Sequence, residues 1–190
     1  KKKMKKMKNK IILASSSPRR KELFDKYGID YTVDFVETEE VLDESLTLLK
    51  RLENIALQKA KPLQIKYPNN IIVSADTMVT FQDEMLGKPK NREDAKRMLE
   101  LLSNNKQVVI TAVCIIKDQQ STTFTDATTV TFKKLSDQEI ENYLDTNEWQ
   151  GKAGAYAIQG VASKFAEKID GDLENVIGMP MYKVIKYLEA

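Results

Sequence analysis

The sequence predicts an α/β protein of a size for one globular domain or two small lobes. Three observations predict it: short apolar runs bounded by turn residues, helical repeats of the i, i+3, i+4, i+7 kind, and alternation of the two along 190 residues. Ile11-Ile12-Leu13-Ala14 is the first run and reads as a strand. Ser15-Ser16-Ser17-Pro18 stops it, and the string from Arg19 has helix-forming composition up to Gly28. Residues 31–36 are β-branched and aromatic and read as a second strand, with Glu37, Glu39 and Glu40 just past it. A helix is expected from Ser45, because Leu48, Leu52 and Ile55 recur at spacings of four and three, and Lys59 falls on the next step.

Residues 71–75 form a buried-type strand that is expected to end at Asp76-Thr77 and resume from Met78 to Phe81. Gly87-Lys88-Pro89 is a loop, after which Asn91 caps a helix with Ala95, Met98, Leu99 and Leu102 on one face. Residues 108–116 and 122–132 suit a long hairpin, and a helix over 136–144 follows. The segment 151–160 is rich in Gly and Ala, 164–169 reads as a strand, and Pro180 opens a last helix with Met181, Val184, Ile185 and Leu188 on one face.

Composition narrows the chemistry. There is no His, which excludes Ser-His-Asp and Cys-His nucleophilic arrangements, histidine-ligated zinc and imidazole acid/base work. Cys114 is the sole cysteine, so an intrachain disulfide is excluded too. Carboxylates, Lys, Arg and hydroxyls remain. The formal charge of +2 conceals an uneven distribution, because residues 1–10 hold seven lysines and no acid, and without them the count is 23 basic against 28 acidic residues. That tail is expected to be a solvated, structureless extension of a single domain over 11–190, and it is the one feature that suggests nucleic acid or a membrane surface. Met4 and Met7 are candidate natural starts. No apolar run reaches a membrane span and no signal peptide is recognisable, so a reducing, cytoplasmic setting without membrane partners is expected.

Four groups of residues have chemical potential. The strand-to-helix junction carries Ser15 and Ser17, with Arg19 and Arg20 in the first turn, where the helix dipole disfavours cations and an anion would compensate. The same string also suits an ordinary capped helix with two solvated arginines. Glu39-Glu40 and Asp76 lie at expected strand ends, the edge where α/β sheets bind ligands, and hard oxygen donors suit Mg²⁺ or Mn²⁺. Such acids are also ordinary surface and turn residues. Lys59 extends an apolar stripe, where it needs an anion or must snorkel, and Lys88 sits in a rigid loop. In Lys152-Ala153-Gly154-Ala155-Tyr156-Ala157-Ile158-Gln159-Gly160, small residues admit a flat ligand and the Gln159 amide both donates and accepts, as reading a pyrimidine edge requires; a tight turn with a satisfied Gln fits equally.

Taken together, 13–23 (LASSSPRRKEL), Ala75-Asp76-Thr77, Leu86-Gly87-Lys88-Pro89, Thr111-Ala112-Val113, Lys152 to Tyr156, Ile158-Gln159-Gly160 and 168–172 (KIDGD) resemble the Maf family of nucleoside triphosphate pyrophosphatases, in order and over nearly the whole chain. The resemblance implies a mixed central sheet with flanking helices, a fold shared with the inosine triphosphatase group, a cleft between two lobes, a homodimer, and metal-dependent hydrolysis of a nucleoside triphosphate to monophosphate and pyrophosphate. It implies that Asp76 is the proton acceptor and that Glu40 is the second acid at the metal and phosphates. Lys59 and Lys88 match the family's phosphate-binding lysines, and Arg20 with the serine loop matches its phosphate cradle.

Members acting on dTTP and UTP carry Arg, Thr and Gln at three positions, where members acting on 7-methyl-GTP carry Trp, Gln and Glu. This chain has Arg19, Thr77 and Gln159, which places it by resemblance with the dTTP/UTP branch, CTP or modified pyrimidines being further candidates and nucleotide-pool sanitation the implied role. The family resemblance also implies a link to cell-division arrest and septum formation, so a low-turnover nucleotide-binding regulator is the competing expectation. Three departures stand out: Gln107 where the family usually has His, Gly151 where it usually has Asp, and Asn104 in a typical glycine position.

Overall fold

In the computed structural model, which describes residues 10–190, the first apolar run forms β1 (Ile11–Leu13), with all three side chains buried. Ser17 caps α1 (Pro18–Lys26): its hydroxyl accepts the Arg20 amide, and Pro18 takes the first helical position, where a missing N–H sacrifices no bond. Gly28, at φ 68°, supplies the left-handed turn that ends the helix. β2 (Tyr31–Val33) is shorter than the expected 31–36, because the strand it pairs with, β1, stops at Leu13; Phe35 and Val36 are exposed. α2 (Leu48–Lys66) starts later than Ser45. Thr47 takes the cap by accepting the Lys50 amide, while the Ser45 hydroxyl donates to Asp43.

β3 (Ile71–Phe81) corrects the expected break at Asp76-Thr77: it is one continuous strand with two half-buried residues in its middle. A two-residue turn at Gln82-Asp83 leads into β4 (Glu84–Leu86). α3 (Arg92–Leu102) is capped by Asn91 and buries the four predicted residues, Ala95, Met98, Leu99 and Leu102. β5 (Lys106–Lys117) and β6 (Gln120–Phe132) meet at Asp118-Gln119, whose φ values of 51° and 62° give the turn whose twist suits a hairpin. α4 (Asp137–Asp145) opens on a capping box between Ser136 and Glu139. Two 3-10 turns (Ala153–Ala155 and Val161–Phe165) precede β7 (Ala166–Asp170), α5 (Leu173–Ile177) and α6 (Met181–Glu189).

The seven strands make one mixed sheet in the order β2-β1-β3-β5-β6-β7, with β4 on β3. β1 is parallel to β2 and β3, whereas β4 on β3 and β7 on β6 are antiparallel. The chain forms two compact units whose boundaries fall inside β3, β5 and β6. The first comprises the described residues up to Asp76, Thr111–Asp126 and Gly178–Ala190; the second comprises Thr77–Ile110 and Ala127–Ile177. Buried residues of the first include Phe24, Leu52, Ile72, Val113 and Val184, and those of the second include Leu86, Leu99, Val109, Phe132 and Phe165. The lysine-rich tail lies outside the described residues except for Lys10, which is exposed.

Candidate functional site

The junction after β1 is built on one buried hydroxyl. Ser15 Oγ accepts the Ser17 amide at 3.1 Å and Arg20 Nη1 at 3.5 Å, while Arg20 Nε donates to the Gly178 carbonyl at 2.8 Å. Arg20 is thereby fixed at both sides of its guanidinium. Burial lowers its pKa to about 10, the charge of Asp76 works in the opposite direction, and Arg19 adds to the lowering; the group remains cationic at neutral pH. Arg19 is half-buried on the same first turn.

Asp76 and Lys59 meet because α2 lies in a fixed register on β3. The Ser74 hydroxyl donates to the Ala56 carbonyl at 2.5 Å, and Ala56 and Ser74 are both fully buried. Two residues further along the strand, on the same face, is Asp76; three residues further along the helix, on the same side, is Lys59. Lys59 Nζ stands 2.9 Å from Asp76 Oδ1 and 3.4 Å from Glu40 Oε1. Glu40 comes from the irregular stretch between β2 and α2 and keeps 47% of its side chain exposed, against 18% for Asp76, so the two acids differ in freedom to move. The structure thus gathers Ser15, Ser17, Arg20, Glu40, Lys59 and Asp76 in the first unit.

Among the described residues no group of three or more His, Cys, Asp or Glu is placed to hold a metal ion. Two carboxylates nevertheless converge on a single cation, the Lys59 ammonium. Mg²⁺ is usually held by one or two carboxylates, with waters and substrate phosphates completing its shell. Glu40 and Asp76 therefore fit a hard divalent cation that arrives with a phosphate ligand.

In the second unit, Thr77 is half-buried on β3, Lys88 is exposed in its loop and Gln159 is exposed between buried Ile158 and half-buried Gly160. The Gly154 amide donates to the Gly87 carbonyl at 3.2 Å, which ties the Lys88 loop to the Gly- and Ala-rich segment. Gly154 itself has φ 68°, and a Cβ there would stand 2.8 Å from Val79 Cγ2; this is the close approach its lack of a side chain permits. Gln159 is presented on a turn closed by the Gly160 amide donating to the Ala157 carbonyl. Two groups escaped the sequence reading. The Gly178 carbonyl that holds Arg20 leaves no signal beyond a glycine, and Asn175, fully buried on α5, donates to the Val109 carbonyl and Thr128 Oγ1.

The three departures now have local explanations. Asn104 has φ 59°, and Asn is among the residues that tolerate the left-handed region after glycine. Gly151 has φ 69°, a left-handed conformation that glycine adopts without the steric cost another side chain would carry. Gln107 is buried and its Oε1 accepts the Tyr156 hydroxyl at 2.5 Å, so it serves the core of the second unit. Burial drives the Cys114 thiol up to about 12, with the Ser74 hydroxyl and Lys61 opposing that rise, which leaves no reactive thiolate. No helix among the described residues is long and apolar enough to cross a membrane.

Fold and site together define a mixed α/β protein with a carboxylate–lysine–arginine cluster at the centre of one strand. The chain belongs to the Maf family: the family described as Maf-like protein matches residues 10–190. It is 42% identical over 182 residues to a dTTP/UTP pyrophosphatase of Acholeplasma laidlawii (strain PG-8A), covering 94% of this chain and 95% of that protein. It is 43% identical over 183 residues to a dTTP/UTP pyrophosphatase of Bacillus velezensis (strain DSM 23117 / BGSC 10A6 / LMG 26770 / FZB42), covering 96% and 97%. The protein of the same description from Bacillus pumilus (strain SAFR-032) is 40% identical over 182 residues, covering 96% of each chain.

Proposed function

We propose that this chain is a nucleoside triphosphate pyrophosphatase that hydrolyses dTTP and UTP, with CTP or modified pyrimidine nucleotides as further substrates, to monophosphate and pyrophosphate. The observation that carries this reading is Lys59 Nζ bridging Asp76 and Glu40 while Arg20 is held nearby. Relatives named dTTP/UTP pyrophosphatases at about this similarity over nearly the full chain support the substrate class. Water attacks the α-phosphorus in line and Asp76 takes its proton. The new P–O bond replaces the bond to the oxygen bridging the α- and β-phosphorus, and pyrophosphate leaves. Lys59, Lys88 and Arg20 neutralise charge on the transferred and leaving groups, while Ser15 and Ser17 hold the junction that sets Arg20. Glu40 and Asp76 would hold Mg²⁺ or Mn²⁺, which when bound supplies charge neutralisation at the phosphates.

Arg19, Thr77 and Gln159 select the pyrimidine base. Residues 11–190 act as one catalytic domain, as a homodimer in the cytoplasm, without nucleic-acid or membrane partners, and remove non-standard pyrimidine nucleotides from the pool. A pure nucleotide-binding regulator of cell division has no use for a base beside the metal, and the intact Asp76, Glu40, Lys59 and Lys88 therefore favour turnover. The deciding assay is pyrophosphate release from dTTP and UTP by Asp76→Asn, with and without Mg²⁺ or Mn²⁺. A fall of about 10²–10⁴ in kcat is expected; turnover near that of the unaltered chain sinks the assignment.

A further inference from the structure

Lys59 occupies the place of a cation. Its ammonium lies between the two carboxylates that would hold a divalent ion, at 2.9 Å from Asp76 and 3.4 Å from Glu40. Around Asp76 and Glu40 stand Lys59 and Arg20, with Arg19 beside Arg20, so the resting set has no net negative charge. A divalent cation arriving alone would add two positive charges to a set that already has its counter-ions. Such an addition in a partly desolvated place is opposed by both basic groups. Arg20 has no room to relieve it, because Nε is bonded to the Gly178 carbonyl and Nη1 to Ser15. Lys59 has a flexible stem, and what holds it is the carboxylate pair itself.

We infer that Lys59 is the resting counter-ion of the carboxylate pair, and that the divalent cation enters together with the triphosphate rather than before it. This rests on the proposed pyrophosphatase reading and adds an order to it. A triphosphate gives the Lys59 ammonium another anion to turn to. As Nζ leaves, Asp76 and Glu40 are uncovered for the cation that the phosphates bring. Glu40, more exposed than Asp76, is the carboxylate with room to adjust.

The test is Mn²⁺ binding to the intact chain, followed by electron paramagnetic resonance of free Mn²⁺. It is run alone and with a dTTP analogue in which a methylene replaces the oxygen bridging the α- and β-phosphorus, with titrations of the analogue alone subtracted. The unaltered chain should bind Mn²⁺ at least about tenfold more tightly with the analogue present. Lys59→Gln should bind Mn²⁺ without nucleotide at least about tenfold more tightly than the unaltered chain, because two unpaired carboxylates then demand a cation. Lys59→Arg keeps the charge and should stay weak, and Glu40→Gln added to Lys59→Gln should abolish the gain. Equal Mn²⁺ affinity of the unaltered chain with and without the analogue overturns the inference, and this arm stands even where Lys59→Gln does not fold. So does equal nucleotide-free affinity in the unaltered chain and Lys59→Gln. None of these readouts measures hydrolysis, so a chain that turns over neither dTTP nor UTP yet shows the tightening refutes the pyrophosphatase reading alone.

Discussion

The Tyr156 hydroxyl donates to Gln107 Oε1 at 2.5 Å, with both side chains buried in the second unit. Tyr156 also packs edge-on against Phe132, ring centroids 4.8 Å apart, and burial pushes its phenol well above its ordinary pKa. The pair thus holds the segment that presents Gln159 to the strand β5. Gln107→Leu strands a buried hydroxyl and should lower stability by about 1–3 kcal/mol. Adding Tyr156→Phe should cost less than the sum of the two single changes, because the stranded group is then gone. Urea unfolding of the four proteins checks this, and strict additivity refutes the coupling.

Gly154→Ala meets two obstacles, a φ of 68° and a contact of 2.8 Å with Val79 Cγ2. A loss of about 1–3 kcal/mol is expected from overpacking alone. Since Gly154 also ties the Lys88 loop through the Gly87 carbonyl, KM for dTTP should rise in the same variant. An unchanged urea midpoint would show that the approach is not tight.

Asp34, at the start of the stretch that holds Glu40, is one of several carboxyls that contribute to the acid limb of the stability profile. Its carboxyl accepts from Lys66 Nζ at 2.7 Å and from the Tyr67 hydroxyl at 2.6 Å, and these bonds, Lys66 first, hold it below the usual aspartate pKa. A carboxylate depressed in the folded state contributes stability that is complete above the unfolded value, about 4, and lost as pH falls through the lower folded value. Asp34→Asn should therefore flatten the stability curve in that window and leave its shape near neutrality unchanged. Urea midpoints from pH 7 to pH 2 give the comparison, and superimposable acid limbs would refute it.

Cys114 should resist thiol reagents. It is fully buried on β5 and its pKa is about 12, so neither access nor thiolate is available at neutral pH. Aromatic disulfide reagents should label the folded chain at a negligible rate and the urea-unfolded chain within the mixing time. Rapid stoichiometric labelling of the folded protein would contradict the burial.

Local signals were reliable where the chain decides its own structure. The caps at Ser17 and Asn91, the helix start at Ser136, the apolar face of α3 and the turn between β5 and β6 all follow from side chains bonding or packing against near neighbours. Three expectations moved, the second of them through a competition between neighbouring caps. The strand from Tyr31 stops at Val33 because its partner stops, and α2 starts at Leu48 because Thr47, not Ser45, takes the cap. β3 runs through Asp76 where a turn-forming residue suggested a stop. α5 was invisible: five residues are too short for a helical period to register.

Sequence alone determined the residue types available for chemistry, the absence of imidazole, the α/β class and the junction of Ser15, Ser17 and Arg20. It also singled out Lys59, whose place on an apolar stripe called for either an anion or a snorkelling stem. Only the tertiary structure decided that an anion answers it, and which one. Lys59 and Asp76 are 17 residues apart and meet through the bond between Ser74 and Ala56 that registers helix on strand. Glu40 was singled out over Glu39 by the family resemblance, and the path of a stretch with no periodic pattern is what brings it to Lys59. Composition and periodicity report what each segment prefers, whereas the pairing of charges depends on how buried surfaces of distant segments settle against one another.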